Sequence, residues 1–226
     1  MEMLPWFFVP DKKLYNVLCR HLEPWETRMR ELPDHPAYAV IDRYRRKGVV
    51  VDYVVFDAEE WGGEMEAHRR AAVDGMAVIA ARREESVRRA MKHDGNVKRE
   101  DFPTLVWYPE SLAGQPYPES RFFGQPTDPY YLGGSSVSPR IIRWDEKNEY
   151  AYAFLEPPYS CTCSARDWNR VNTLLFPEPN RAEIYSWSTN WSNYFDDGLE
   201  WWGAYYWTVF NPGRDTFVVV AASATD

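Results

Sequence analysis

Three carboxylates, Asp196, Asp197 and Glu200, stand in one short stretch among Trp191, Tyr194, Phe195, Trp201 and Trp202. Two carboxylates beside aromatic platforms are the minimum for glycosidase-like acid–base chemistry. That chemistry needs a mutual geometry which spacing does not supply, so no catalytic residue is assigned and an enzyme is not the expected class. The same mixture of rings, Asn, Ser and carboxylates suits a recognition surface, because Trp and Tyr dominate binding hot spots. The wider segment Tyr185–Trp207 carries ten rings in 23 residues. Within it, residues 188–202 are too polar for core and too aromatic for a passive connector. The expected partner-binding residues are Trp187, Trp191, Tyr194, Phe195, Asp196, Asp197, Glu200, Trp201 and Trp202. The competing reading makes most of these rings core, since one alternating set on a strand over 204–210 must be buried.

The other reactive residues carry weaker signals. Cys161 and Cys163 are separated only by Thr162. A structural zinc site takes four ligands, usually as two spaced pairs, and no second pair is nearby, so thiols in a turn or at a strand end are expected and no metal or cofactor is assigned. His21, His35, His68 and His93 form no HExxH pattern. Glu64 and His68 are four apart on an expected helix and read as a surface pair. Gly133-Gly134-Ser135-Ser136 is neither a phosphate-binding loop nor a nucleophile elbow and reads as a flexible loop. The pairs Arg69-Arg70, Arg82-Arg83 and Arg88-Arg89 would form a basic stripe on a continuous helix. The interspersed Asp74, Glu84 and Glu85 make a solvated face the preferred reading.

The chain has 226 residues, 45% hydrophobic and 16% aromatic, with a formal charge of −8. That length can bury a sizeable core without disulfide or metal staples. The composition excludes collagen-like, coiled-coil and wholly disordered chains. The acidity is concentrated in residues 114–226, at −6 against −2 for residues 1–113. Nucleic acid is therefore an unlikely partner, since a polyanion binder carries a basic stripe. The start, Met1–Pro10, lacks a basic region and is interrupted by Pro5 and Pro10, so no signal peptide is expected. The longest apolar-leaning run, 71–81, is far short of a membrane span. With three cysteines and no disulfide-framework spacing, a soluble cytoplasmic protein is expected.

The elements that position these residues are legible in part. Leu14, Val17, Leu18 and Leu22 give helical spacing within 12–32, with a second helical turn starting at Pro24. Ala37, Val40, Ile41 and Tyr44 give another helix over 37–47, with Gly48 as its stop. Val49–Phe56 is a strand. A helix follows from Glu64 to about Lys92, weakened by Gly75, with a strand over 76–80 as the competing reading. Residues 94–139 hold seven prolines and five glycines and read as a long connection, with a short strand at 104–108. A hairpin then follows, pairing 140–144 with 149–155 across a turn at 145–148. Ser164 and Asp167 suggest a capping box for a helix over 165–175. Strands are expected at 182–187, 203–210 and 215–222, the last two joined by the turn Asn211–Arg214.

The expected fold class is α+β. A helix-rich part (1–100, with strand 49–56) and a Pro/Gly-rich connection (101–139) precede an antiparallel part (140–226, in the order β-β-α-β-β-β). A helix covers one face of the sheet, and the whole forms one globular unit. The expected function is binding by occlusion of a protein partner, one with a basic surface, through the acidic aromatic loop at 188–202. This general profile resembles that of bacterial immunity proteins that neutralise toxins, a likeness of class that carries over no residue. The alternative is a binding protein or hydrolase for a small ligand, a carbohydrate or a nucleotide, using the same loop.

Overall fold

A computed structural model describes residues 28–124 and 149–224. The expected helical run over 12–27, the glycine-serine loop at 133–136, the strand over 140–144 and the turn at 145–148 lie outside the described residues. An antiparallel sheet of six strands organises the remainder. The strands are β1 (Arg30–Glu31), β2 (Asp52–Asp57), β3 (Gly114–Pro116), β4 (Glu183–Trp187), β5 (Ala204–Asn211) and β6 (Thr216–Ser223), in the spatial order β1-β2-β6-β5-β4-β3. The two C-terminal strands form a hairpin around Asn211–Arg214, closed by Arg214 N–H donating to the Asn211 carbonyl (3.1 Å). β6 lies at the centre, pairing with β5 from Asn211↔Thr216 to Ala204↔Ser223 and with β2 from Asp57↔Thr216 to Asp52↔Ala221.

Helices cover both faces of this sheet, where the sequence pattern predicts one covered face. On the first face, Tyr53, Val55, Trp207, Val209, Val218 and Val220 meet α1 (Ala37–Arg45), α3 (Glu119–Phe122), α4 (Glu149–Leu155) and α5 (Ala165–Leu175). On the second, Val54, Phe56, Tyr206, Phe217 and Val219 meet the long helix α2 (Met65–His93). Burial on both sides explains why β6 reads Thr-Phe-Val-Val-Val-Ala-Ala-Ser with no polar alternation.

The α+β class and most element positions follow the pattern, and the departures have physical causes. Residues 149–155 form a helix, not a hairpin strand. Tyr150, Ala151, Ala153 and Phe154 are buried, an i, i+1, i+3, i+4 set. Seven residues cannot separate that set from the alternation of Tyr150, Tyr152 and Phe154. Residues 76–80 belong to α2 rather than to a strand. Residues 104–108 form no strand: Trp107 makes one isolated bridge to Ser192, and the edge strand is Gly114–Pro116. Arg30 and Glu31, inside the run read as helical, instead pair with Asp57 and Phe56. The capping box on α5 forms as expected: Ser164 N–H donates to Asp167 Oδ2 (2.9 Å) and Asp167 N–H to Ser164 Oγ (3.4 Å).

Gly75, which weakened the helical reading of α2, is the residue that lets α2 lie on the sheet. A Cβ there would stand 2.7 Å from Val219 Cγ2 and 2.9 Å from Cγ1. Gly75→Ala should therefore destabilise the protein by about 1 kcal/mol. Overpacking costs about 1–3 kcal/mol and outweighs a helix-propensity gain of about 1 kcal/mol. Urea denaturation checks this, and an unchanged or higher midpoint would show that α2 can lift off β6 at little cost.

Candidate functional site

The acidic aromatic loop leaves β4 at Trp187 and returns at β5. Ser192 Oγ accepts from Tyr194 N–H (3.1 Å) and starts a single helical turn, which runs into the short helix α6 (Asp196–Leu199). Gly203 N–H donates to the Gly198 carbonyl (2.7 Å), and Gly198 N–H donates to Ser223 Oγ (2.9 Å). The turn is thus held against the end of β6 by backbone groups.

This geometry sends most of the predicted binding rings inward. Trp187, Trp191, Tyr194, Phe195 and Trp202 are all buried. Trp187 Nε1–H donates to Thr208 Oγ1 (2.9 Å). Trp191 packs on Phe195 and Tyr206, with ring centroids 6.4 and 5.6 Å away. The Tyr194 hydroxyl donates to Asp52 Oδ2 (2.9 Å), and burial with the Asp52 charge beside it holds its pKa well above the ordinary value. Trp202 Nε1–H donates to the Glu156 carbonyl (2.6 Å), and its ring stacks on Tyr152. These five rings are packed in the core, and of them Tyr194 also reaches the wall of a groove. The reason is energetic: each large ring buries about 150–250 Å², worth about 4–6 kcal/mol at most, and helices on both sides of the sheet offer places for all five.

What remains outside is a ridge. Trp201 is 58% exposed and Leu199 55% exposed, beside the exposed carboxylates Asp196, Asp197 and Glu200. The sequence reading missed Leu199. Its signal is position: in a turn whose Gly198 faces inward, the next residue faces out.

On the other side of the same loop is a groove of about 540 Å³. Its walls come from the end of α1 (Arg45), the approach to β2 (Val49, Val50, Asp52), the second half of α2 (Ile79, Arg82, Arg83, Ser86, Val87, Ala90), Phe102, Tyr159, the loop (Tyr194, Asp197) and the end of β6 (Ser223, Ala224). Asp52 is clamped between the Arg45 guanidinium and the Tyr194 hydroxyl. Arg82 donates to the Tyr53 carbonyl (2.8 Å), pairs with Glu31, and lies over the Tyr38 ring at 5.0 Å. No local motif announces this groove, because its walls come from segments more than 170 residues apart in the chain.

The remaining candidates resolve against the sequence reading or fall to structural roles. The arginine pairs of α2 form no basic stripe, and the expected solvated face holds only for the last pair. Arg70 is buried on Asp74 (2.8 Å), Arg82 is buried, and Arg69 donates to the Pro109 and Leu112 carbonyls, whereas Arg88 is exposed and, like Arg89, pairs with Glu85. Among the described residues, no group of three or more His, Cys, Asp or Glu is placed to hold a metal ion, and no helix is long and apolar enough to cross a membrane. Glu64 and His68 are not a surface pair. His68 is fully buried, its Nδ1 2.7 Å from Thr208 Oγ1 and its ring 4.4 Å from Tyr185 and 4.9 Å from Phe217. No protein-family model, curated protein or solved structure matches the chain.

Burial pushes the His68 pKa down to about 3, so the imidazole stays neutral in the fold. Unfolded, it titrates near its ordinary value of about 6.5. Between these limits the unfolded state binds a proton that the folded state refuses, so stability falls as pH falls from about 6.5 towards 3. The slope reaches about 1.4 kcal/mol per pH unit. His68→Gln should flatten this part of the profile relative to the parent protein in denaturant titrations at pH 6.5 and pH 4. Parallel profiles would mean that the imidazole becomes charged in place.

Proposed function

We propose that this protein is a binding protein that occludes a protein partner bearing a basic, partly apolar surface, and that the contact is the ridge of Asp196, Asp197, Leu199, Glu200 and Trp201. The observation that carries this reading is Trp201. A chain that buries the other four rings of this loop leaves one indole 58% exposed, next to an exposed leucine and three carboxylates. Exposed Trp is the commonest hot-spot anchor, and a cluster of like charge speeds encounter with an opposite surface. The backbone bonds at Gly198 and Gly203 hold the ridge in shape, so little ordering is lost on binding. The cytoplasm is the proposed compartment, since Cys161 and Cys163 are free thiols, and an immunity-like role is the form of occlusion that this profile suits.

The test is direct. A partner is identified by affinity capture, and its dissociation constant is measured for the parent protein, for Trp201→Ala, and for Asp196→Lys with Asp197→Lys. Each change should weaken binding at least about tenfold, or 1.4 kcal/mol, with the circular dichroism spectrum unchanged. The lysine variant should also lose most of the salt dependence of the association rate. Unaltered affinity in both would remove the ridge from the interface.

A second reading is favoured by the groove. Its volume of about 540 Å³ lies within the range of small-molecule sites. It joins apolar side chains (Ile79, Val87, Ala90) to Arg83, the lining arginines Arg45 and Arg82 being paired with Asp52 and Glu31, which suits an apolar body carrying an anionic group. The aromatic sulfonate anilinonaphthalene sulfonate should bind at a single saturable site, and Ser86→Trp, which fills the groove from α2, should abolish the fluorescence. Equal fluorescence in parent and variant would place that binding elsewhere.

A further inference from the structure

The loop between α4 and α5 carries Cys161 and Cys163 beside the groove wall formed by Gly48 and Tyr159. Two residues along a chain span at most about 7 Å between Cα atoms, the upper end of the distance a disulfide accepts. The backbone here is held from both sides. Thr162 N–H donates to the Lys47 carbonyl (3.0 Å), and Ser164, the next residue after the pair, is locked into the α5 capping box. Ser160 and Cys161 also lie directly on Gly48, whose φ of +102° and missing Cβ permit the approach: a Cβ would stand 2.4 Å from the Ser160 carbonyl oxygen.

The two sulfurs have different surroundings. Cys161 is half-buried, with its Sγ 3.9 Å from the Phe154 carbonyl, whereas Cys163 is buried in the core against α1 and α5. We propose that Cys161 and Cys163 are a redox-active dithiol, in which Cys161 attacks a low-molecular-weight disulfide and Cys163 resolves the product into an internal disulfide. The Cys161 sulfur, as thiolate, attacks one sulfur of RSSR. The S–S bond breaks, and RS⁻ leaves and takes up a proton. Cys163 releases its proton to solvent, and its sulfur attacks the Cys161 sulfur. The Cys161–Cys163 bond forms, and the second RS⁻ leaves and is protonated. The protein loses two protons and two electrons, and the oxidant gains them as two thiols.

The electrostatics of the pair support this division. Hydrogen bonding from Cys163 holds the Cys161 pKa below the ordinary thiol value, against burial and the charges of Glu156 and Asp167, while the Cys163 pKa is raised by its neighbour and by burial, so Cys161 is the member of the pair that gives up its proton more readily. A disulfide closing so small a ring is strained and therefore readily reduced, which makes the reaction reversible.

The test uses the full chain with Cys19→Ser, equilibrated anaerobically with glutathione buffers and mapped by alkylation and mass spectrometry. The peptide bearing both cysteines should lose two hydrogens in oxidising buffer and regain them with dithiothreitol. Cys163→Ser should stall as the glutathione mixed disulfide, and Cys161→Ser should react about tenfold more slowly than Cys163→Ser. A pair that stays reduced at a poise oxidising a reference CxxC protein would overturn the proposal. So would a product linking two chains, or equal rates for the two single variants. The mapping of the parent protein needs neither variant to fold.

Discussion

β6 is hydrogen-bonded along both edges, to β2 and to β5, and is buried on both faces. Six of its eight residues, Phe217 to Ala222, are fully buried. The rest of the structure depends on this doubly covered ladder. A strand sealed in this way needs an apolar layer above and another below. The chain supplies one with the long helix α2 and the other with α1, α4 and α5. Gly75 marks how close the second layer comes, since α2 rests on Val219 with no room for a methyl group.

Two layers of this size use up aromatic residues. Trp207, Tyr150, Phe122 and Phe176 interlock on one side, with Phe122 stacked on Tyr150 at 4.6 Å. Trp191, Phe195 and Tyr206 do so on the other. Some of the polar atoms carried inside are satisfied within the layers, whereas the Nε1 groups of Trp168, Trp191 and Trp207 find no hydrogen-bond partner among the described residues. The Tyr53 and Tyr150 hydroxyls pass a hydrogen bond on to Asn172, and Thr208 serves both His68 and Trp187. Such buried polar chains fix one arrangement of a core, because each unsatisfied group would cost about 1–3 kcal/mol. The neutrality of His68 is a consequence of the same sealing.

Function is left to what this core does not absorb. The ridge at Asp196–Trp201 projects because Gly198 and Gly203 turn the chain back towards Ser223. The groove opens where the second half of α2 passes the ends of β2 and β6. The thiol pair lies on the α1–α5 layer, on a loop fixed by Lys47 and Gly48 and next to the groove wall that Gly48 and Tyr159 form. Asp197 belongs to both ridge and groove, so a partner seated on the first would also close part of the second.

Much of the fold was written in local patterns: the capping box at Ser164 and Asp167, the turn at Asn211–Arg214, the β-branched run of β2 and the helical face of α2 each signal their element within a dozen residues. Residues 149–155 were illegible because seven residues fit a period of two and a period of 3.6 alike, and only the layer above Tyr53 selects the helix. In the candidate site, the carboxylates Asp196, Asp197 and Glu200 could be read as exposed from their charge, whereas the exposure of Trp201 could not, since Trp202 beside it has the same local company and is buried. Trp187, Trp191, Tyr194, Phe195 and Trp202 could not be read as buried, since whether a ring is covered depends on residues far away in the chain: Asp52 for Tyr194, Glu156 for Trp202, Thr208 for Trp187. The amino-acid sequence determined the acidic charge, the strands and the abundance of rings. The tertiary structure alone decided which rings face water, because burial is a property of the neighbours that folding brings together, and periodicity along one segment carries no record of them.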